Sequence, residues 1–455
     1  MSANWNCLER VYSKISDFED KRRIKNEPIR FKSIKESELL KEQLPVVNYG
    51  HMINTHSEEL LYKIVKTDAP LVRSTLEVNG FSCTEFHDWN LLWSNSYSRP
   101  YVYDGLNEFQ RVNHFPLSVE LTRKDKMSVN ILKMKERYNE KYDFIPETYV
   151  LPEEYGEFFS CFNTLKTSKG IDTWIVKPSN LSRGRGIYLI NNPSDIPLDD
   201  NYIISRYIAN PLLINGLKFD LRIYVVVTSI DPLRIYVFNE GIARFATEKY
   251  SATKNLESKF CHLTNYSVNK KNESFVQNKK AEQDNVGSKW SISALMTELE
   301  KKGIDTNLLW SRIYDVIIKS ILSVEPMFVS SCSKMPSKCN CFELYGYDIL
   351  IDDNLKPWLM EINLTPSLAV ESPIDMVIKS QLISNMLTLI GLKKYDRKKD
   401  YKRKSTKQIY SKSNKKLVSE LLTAMTDIDP NINIDSLNLL MVFPLKRRYQ
   451  LKQEK

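Results

Sequence analysis

Residues 342–368 read FELYGYDILIDDNLKPWLMEINLTPSL, and the rest of the chain is organised around them. Residues 342–351 form an apolar run rich in aromatic and β-branched side chains, the composition of a strand. Asp352, Asp353, Asn354 and Pro357 are turn formers, and a second apolar run follows over 358–364. The pattern predicts a buried hairpin with three polar exceptions: Asp348, Glu361 and Asn363. Such groups are costly in a buried strand unless something satisfies them. Glu361 and Asn363 are two apart, so in a strand they share a face. If Ile351 pairs with Trp358, Asp348 stands opposite Glu361. Facing carboxylates repel, and a divalent cation reverses that. Hard oxygen donors of this kind suit Mg²⁺ held beside substrate phosphates. A surface hairpin with solvated carboxylates is the competing reading. The neighbours Ile349, Leu350, Ile351, Leu359, Met360 and Ile362 leave it little solvated face.

Upstream, residues 173–177 (TWIVK) read as a strand ending at Lys177, followed by the loop 179–186 (SNLSRGRG) and a strand over 187–190. Gly184 and Gly186 allow close backbone approach, and Arg183 and Arg185 add charge, as in a loop that covers phosphates. A GxG loop alone is weak, and an ordinary basic hairpin fits it equally. Lys177 strengthens the nucleotide reading, because a lysine leaving a buried strand needs an anionic partner. Residues 202–208 and 218–229 read as strands, with 233–238 as the hairpin partner of the latter. Lys218, Asp220 and Arg222 alternate along an otherwise apolar strand and so share one face; a solvated face with an internal salt bridge is the bland alternative. Residues 241–247 carry Arg244, and 261–270 cluster small polar groups.

Residues 71–78 and 86–93 look like short strands or buried segments, with Trp89 and Trp93 as core, and 144–151 as a strand. Helical spacing is expected over 125–138, 289–302, 307–328, 374–392 and 417–425.

The chain has 455 residues, ample for a large core and several domains. No signal peptide or membrane-length apolar run is read, and seven scattered cysteines suggest reduced thiols. Cys332, Cys339 and Cys341 lack further ligands for zinc. The formal charge is +9, but residues 391–416 hold twelve Lys and Arg against two acids, so the remainder sums to −1. That segment could suit a nucleic acid, but few aromatics and no nucleic-acid motif accompany it, so another polyanion is expected.

Together, a hairpin of oxygen ligands, a lysine beside a glycine loop and a basic strand face suit an enzyme that positions ATP and Mg²⁺ and stabilises a transferring phosphoryl group. Eight blocks then carry a family resemblance: NHFPLSVELTRKDK, WIVKPSNLSRGRGIYLINNP, SRYIANPLLI, KFDLRIYVVVTSIDPLRIY, GIARFATEKY, HLTNYSVNKK, GSKWS and the hairpin stretch itself. In this order, over roughly residues 113–392, the chain resembles the tubulin-tyrosine-ligase-like enzymes, particularly the fifth-type tubulin polyglutamylases.

The resemblance implies an α+β fold of the ATP-grasp type and ATP-dependent ligation of an amino acid to tubulin. It implies ATP contacts from Lys177, Arg185, Gly186, Lys218, Phe219, Asp220, Arg244, Thr264 and Asn265, with Ser205, Arg206, Tyr207 and Ile208 as the adenine hinge. Many relatives have Gln in place of Ser205, and the fifth-type branch tolerates Ser. Tyr266, Ser267, Lys289 and Lys379 would bind free glutamate. Asp348, Glu361 and Asn363 would hold two Mg²⁺ ions, and Arg222, Arg244 and Glu361 would act in catalysis.

The expected layout is a charged segment at 1–44, a catalytic region at 45–392 (subdomains 45–125, 126–210 and 211–392) and a cationic microtubule-binding region at 393–455. Glutamate would be joined to γ-carboxylates of tubulin C-terminal tails through an acyl phosphate. Partners would be microtubules and L-glutamate, without nucleic acid or membrane. The protein would be a monomer of the cytoplasm and cytoskeleton, with the cilium or basal body as further sites. A glycine or tyrosine ligase of the same fold and an inactive microtubule-binding protein are the alternatives; intact Lys177, Asp348, Glu361 and Asn363 weigh against inactivity.

Overall fold

The structure is a computed structural model, and it describes residues 28–39, 59–169, 173–179, 181, 184–197, 201–251, 256–278, 284–395 and 437–443. Three sheets account for its strands, and the fold is mixed α/β.

The first sheet is parallel, with β1 (Leu61–Val65), β2 (Ser82–Cys83), β3 (Leu91–Ser94) and β4 (Arg111–Val112) in the order β2-β1-β3-β4. The segment 71–78, expected as strand-like or buried, lies in the helix Pro70–Val78. Pro70 fits the first helical turn, and Leu71, Val72 and Leu76 bury one face against the sheet. Of 86–93 only the end is strand, while Trp89 and Trp93 are core as expected.

The second sheet is antiparallel: β5 (Thr148–Leu151), β6 (Trp174–Pro178), β7 (Tyr188–Ile190) and β8 (Tyr202–Arg206), ordered β5-β8-β6-β7. The helix Tyr155–Lys169 packs Phe158 and Phe162 against Trp174 and Val176. Interspersed Gly and Thr dilute its apolar pattern, and sequence reading leaves it unassigned.

The third sheet is central and has seven strands: β9 (Leu213–Ile214), β10 (Leu217–Ile230), β11 (Leu233–Lys249), β12 (Lys289–Ser291), β13 (Glu343–Ile351), β14 (Pro357–Asn363) and β15 (Leu439–Phe443). Its path is β12-β11-β10-β13-β14, with β9 on β10 and β15 on β11. Residues 233–238 and 241–247 join into the single strand β11. Lys289, expected at the start of a helix, stands on β12 opposite Arg244 instead; Ser291 then caps the helix Ile292–Lys301 by accepting from Ala294 N.

Strand β10 shows how this sheet is divided. Its odd-numbered residues Phe219, Leu221, Ile223, Val225 and Val227 join the core under the helices Ile292–Lys301, Thr306–Leu322 and Glu325–Cys332. On the even face, Tyr224 and Val226 share a second core with the helices Pro70–Val78 and Pro373–Leu389. Lys218, Asp220 and Arg222 belong to that same face, before the apolar cover begins. The row of charge is thus the open half of a face whose other half is core.

Leu439 and Val442 of β15 are buried, and the strand pairs with β11 over Ile235–Phe238. Residues 437–443 therefore complete the central sheet although they lie inside the segment 393–455. Removing everything from 393 onward would strip this strand from β11. The basic run beyond residue 395 and the helix expected over 417–425 fall outside the described residues. Among the described residues no helix is long and apolar enough to cross a membrane.

Candidate active site

The hairpin expected over 342–368 is β13 and β14, and its register holds a correction. Near the turn Ile351 pairs with Pro357, Leu350 with Trp358 and Ile349 with Leu359, one residue off the expected alignment. The register then shifts, and Asp348 pairs with Glu361, Tyr347 with Ile362 and Gly346 with Asn363. Met360 is the extra residue of a β-bulge, which restores the opposition of the two carboxylates. Glu361 and Asn363 stay on the open side while Ile362 turns into the core.

Cations answer these carboxylates. Arg222, next to Asp348 across β10 and β13, grips it through two bonds, Nε to Oδ1 at 2.6 Å and Nη2 to Oδ2 at 3.1 Å. Arg244 Nη2 lies 2.9 Å from Asp348 Oδ2, and its Nε donates to Asp220 Oδ1 at 2.9 Å. Lys124 Nζ donates to Glu361 Oε1 at 3.0 Å. Burial alone would raise the Asp348 pKa, but the Arg222 and Arg244 guanidiniums hold it well below the carboxylate range. Gly346 makes room for the grip: a Cβ there would meet Pro366 Cβ at 2.7 Å and Arg222 Cδ at 3.3 Å. Asn363 spends its amide N–H on Gly346 O, at 3.1 Å, which leaves Oδ1 as the oxygen available to a cation. Among the described residues no three His, Cys, Asp or Glu side chains form a metal-binding group. The donor set is two carboxylates and one amide.

A cavity of about 100 Å³ lies between this hairpin and the second sheet. Lys124, Lys177, Lys218, Asp220, Asp348 and Glu361 give it a charged end. Ile175, Leu181, Ile187, Leu263, Leu350 and Met360 give it an apolar one. Burial, reinforced by Lys124, pushes the Lys177 ammonium down to about 8, partly opposed by Glu361. Burial also pushes Lys218 down to about 7 against the pull of Asp220. Lys218 Nζ donates to the Tyr207 hydroxyl at 3.0 Å, and that hydroxyl lies 2.9 Å from His262 Nδ1. Arg206, Tyr207, Ile208, Thr264 and Asn265 line the same cavity.

Besides Arg244, four expected nucleotide contacts lie outside that lining. The Phe219 side chain faces the opposite core, 5.5 Å from the Phe245 ring, because odd positions of β10 point away from the charged row. Ser205 accepts from Thr148 Oγ1 at 3.0 Å and lines a small adjoining pocket with Lys177. Arg185 and Gly186 are exposed, and Gly184 is the loop glycine that reaches the cavity. Its φ is +74°, and a Cβ there would meet Val268 at 2.8 Å and Asn265 Oδ1 at 3.0 Å.

Tyr266, Lys289 and Lys379 meet in a second cluster. Lys289 Nζ stands 3.9 Å from the centre of the Tyr266 ring. Both ammoniums lie 2.8 Å from the buried carboxylate of Asp375, Lys289 at Oδ2 and Lys379 at Oδ1. Ser267 follows Tyr266 on the short helix Tyr266–Asn269.

Sequence reading missed Lys124 and Asp375. Each opens a helix, where charge reads as solvated or as a favourable helix-end residue, and only long-range contacts reveal their partners. A larger cavity of about 820 Å³ opens beside the hinge Arg206–Asn210. Asp143, Glu147, Glu154, Glu157, Asp352 and Asp353 outnumber its two cations, a sign that repels polyphosphate.

The model of the tubulin-tyrosine ligase family matches residues 104–420. The chain is 48% identical over 358 residues to the tubulin polyglutamylase TTLL5 of Homo sapiens, which covers 77% of this chain and 27% of that protein. It is 40% identical over 354 residues to the tubulin polyglutamylase ttll-5 of Caenorhabditis elegans, 74% of this chain and 48% of that one. It is also 40% identical over 337 residues to the human tubulin monoglutamylase TTLL4, 73% and 28% of the two chains. The chain thus spans between about a quarter and a half of the length of these relatives.

Proposed function

The chain belongs to the tubulin-tyrosine ligase family, and we propose that it is a tubulin polyglutamylase of the ATP-grasp type. The observation that carries this is a cavity between two antiparallel sheets, in which Lys177 and Lys218 stand with Asp220, Asp348 and Glu361, while Arg222 and Arg244 hold the two aspartates from outside its lining. The polyglutamylase names of the relatives support the substrate. The cationic residues 391–416 suit an acidic tubulin tail, which the protein would meet as a monomer on cytoplasmic or ciliary microtubules.

In this reading the apolar end of the cavity takes adenine beside the backbone of 206–208, and the lysines take the phosphates. The cavity, at about 100 Å³, is below the roughly 300–1,000 Å³ of ligand pockets, so ATP binding in this reading widens it. The residues present fit Mg²⁺: their donors are oxygens, and a carboxylate offers about four lone-pair sites, more than the present cations use. Asp348, Glu361 and Asn363 would hold two Mg²⁺ ions, which supply charge neutralisation at the phosphates.

A γ-carboxylate of a tubulin-tail glutamate attacks the γ-phosphorus of ATP, and the bond to the ADP oxygen breaks. The product is an acyl phosphate. The neutral amine of free glutamate attacks its acyl carbon, loses a proton and expels phosphate, leaving an isopeptide bond. Arg222 and Arg244 are fixed through Nε and Nη2, so among the described residues each keeps Nη1 for the charge that develops in both steps. Lys289 and Lys379 add cations beyond those near the nucleotide, which favours an amino acid with two carboxylates over glycine or tyrosine.

The test is purified protein with microtubules, ATP and each labelled amino acid in turn. Glutamate is expected to be incorporated. Efficient glycine or tyrosine transfer with negligible glutamate transfer would move the chain to another branch, and no transfer with any amino acid would leave the inactive reading.

A further inference from the structure

Asp375 is fully buried, in the first turn of the helix Pro373–Leu389, and does not line the nucleotide cavity. Its surroundings are built in detail. Oδ2 accepts from Lys289 Nζ at 2.8 Å, from Ser372 Oγ at 2.9 Å and from Glu371 N at 3.3 Å. Lys379, one helical turn on, places Nζ 2.8 Å from Oδ1 and donates to Ala369 O at 2.6 Å. The two lysines come from distant parts of the chain, a strand of the central sheet and the helix itself. Lys289 also pairs with Arg244 across β11 and β12, so the cluster is one strand away from the proposed reaction centre.

Two ammoniums this deeply buried would repel without a shared anion. Burial alone would raise the Asp375 pKa; Lys379 and Lys289 more than offset it and keep the carboxyl below its ordinary range. With Asp375 ionised, the three groups carry a net charge of one positive unit, and each lysine retains N–H donors. Glu371, 3.7 Å from Lys289 and 39% exposed at the side chain, is the other carboxylate near the pair.

We propose that Asp375 is a positioning residue for the incoming amino acid: its two oxygens hold Lys289 and Lys379 as a fixed pair of cations to which a dicarboxylate can bind. This rests on the glutamate-ligase reading above. Without the anchor the lysines would swing to solvent or to Glu371, and the two carboxylates of the substrate would lose their geometry while the nucleotide lysines stayed in place. A lone structural role for Asp375 would instead lower stability and weaken ATP and glutamate binding together.

The experiment measures the KM for glutamate and the KM for ATP of the full chain, with Asp375→Asn and Asp375→Glu beside the parent. Mass-spectrometric amine labelling of Lys289 and Lys379 runs in parallel. Loss of a charged hydrogen-bond partner at a fixed site is worth about ten- to a hundredfold, so the KM for glutamate should rise by that factor in Asp375→Asn. The KM for ATP should stay within about threefold. Asp375→Glu should recover part of the loss, and both lysines should label faster in Asp375→Asn. An unchanged KM for glutamate, or equal rises in both KM values, would overturn the proposal. If Asp375→Asn fails to fold, Asp375→Glu decides: no split between its two KM values overturns the proposal as well. If the parent transfers only another amino acid, the glutamate reading itself falls. Unaltered labelling in Asp375→Asn would refute the positioning role even where the parent uses glutamate.

Discussion

Asp348 and Asp375 are each held between two cations, yet they are built for different conditions. The partners of Asp348 are guanidiniums on neighbouring strands, Arg222 through two parallel bonds and Arg244 shared with Asp220. Planar forks on a sheet fix both distance and direction. The partners of Asp375 are ammoniums, point charges on flexible stems that one carboxylate must hold from two elements. Asp348 lines the cavity, whereas Asp375 is sealed from it. The difference teaches how to sort buried ion clusters. The first can exchange a cation for another without moving its frame. The second sets the position of its lysines and offers the ligand only their outer N–H groups.

The largest effect is expected on the open side of that comparison. Among the described residues Glu361 has one bonded cation, Lys124, and its side chain is partly exposed, so Glu361→Gln removes a charged metal donor with little cost to packing. Turnover at saturating ATP and Mg²⁺ should fall by about a hundredfold or more while the melting temperature hardly moves. Near-parental turnover would remove Glu361 from the reaction centre.

A second variant probes docking and should leave both clusters alone, because every residue of each precedes 396. Replacing the ten Lys and Arg of residues 396–416 by Ser keeps β15 tethered, unlike a truncation at 393. Charges on an acidic lattice act over a Debye length of about 8 Å at physiological salt, so microtubule co-sedimentation should weaken about tenfold at low salt and lose its salt dependence. ATP affinity should be unaffected. Equal, salt-insensitive binding by both proteins would show that another surface docks.

Gly346→Ala sharpens the comparison by disturbing one cluster alone. The added Cβ would press on Pro366 and on the Arg222 stem, a cost of about 1–3 kcal/mol of stability by overpacking. Turnover should fall with stability, while the KM for glutamate follows Asp375 and stays near its parental value. A melting temperature and turnover both unchanged would mean that Arg222 has room the geometry does not give it.

The hairpin was legible in sequence because its signals are local: an apolar run, turn formers, a second run and three polar exceptions. Even the opposition of Asp348 and Glu361 was legible, though through an alignment that is wrong at the turn and right at the site. Spacing alone does not reveal the bulge at Met360. The cations that hold these carboxylates were only half legible. Arg222 declares itself by alternation with Lys218 and Asp220, but Lys124 is separated from Glu361 by 237 positions and sits where a helix start normally carries solvated charge. For the same reason Lys289 reads as helix, since β12 is three residues long and exists through its pairing with β11. Strand β15 follows a strongly basic run, and only its pairing partner places it in the sheet.

The smallest expected effect contrasts the two kinds of buried lysine. Lys289 and Lys379 each touch a carboxylate. Lys177 and Lys218 make no such contact among the described residues, and burial lowers them from 10.5 to about 8 and about 7. The sign follows from proton counting. Between about pH 7 and 10 the folded protein binds fewer protons at these lysines than the unfolded chain, so their cost to stability is present in full at low pH and is relieved as pH rises. Nucleotide binding runs the other way. Polyphosphate favours the ammonium forms, so above about pH 7 binding must take up protons, and ATP affinity should fall by about three- to tenfold per pH unit towards 9. Asp375 is lowered as a carboxylate, so its ion pairs are lost only as pH falls into the acid range, and they do not contribute to this slope. Titration calorimetry of ATP in buffers of different ionisation heat, at pH 7 and pH 9, reads the proton uptake directly. Lys177→Arg should flatten part of the slope, because a guanidinium stays charged throughout. A flat affinity and no buffer dependence in the parent protein would mean that these two lysines are already charged and solvated before the nucleotide arrives.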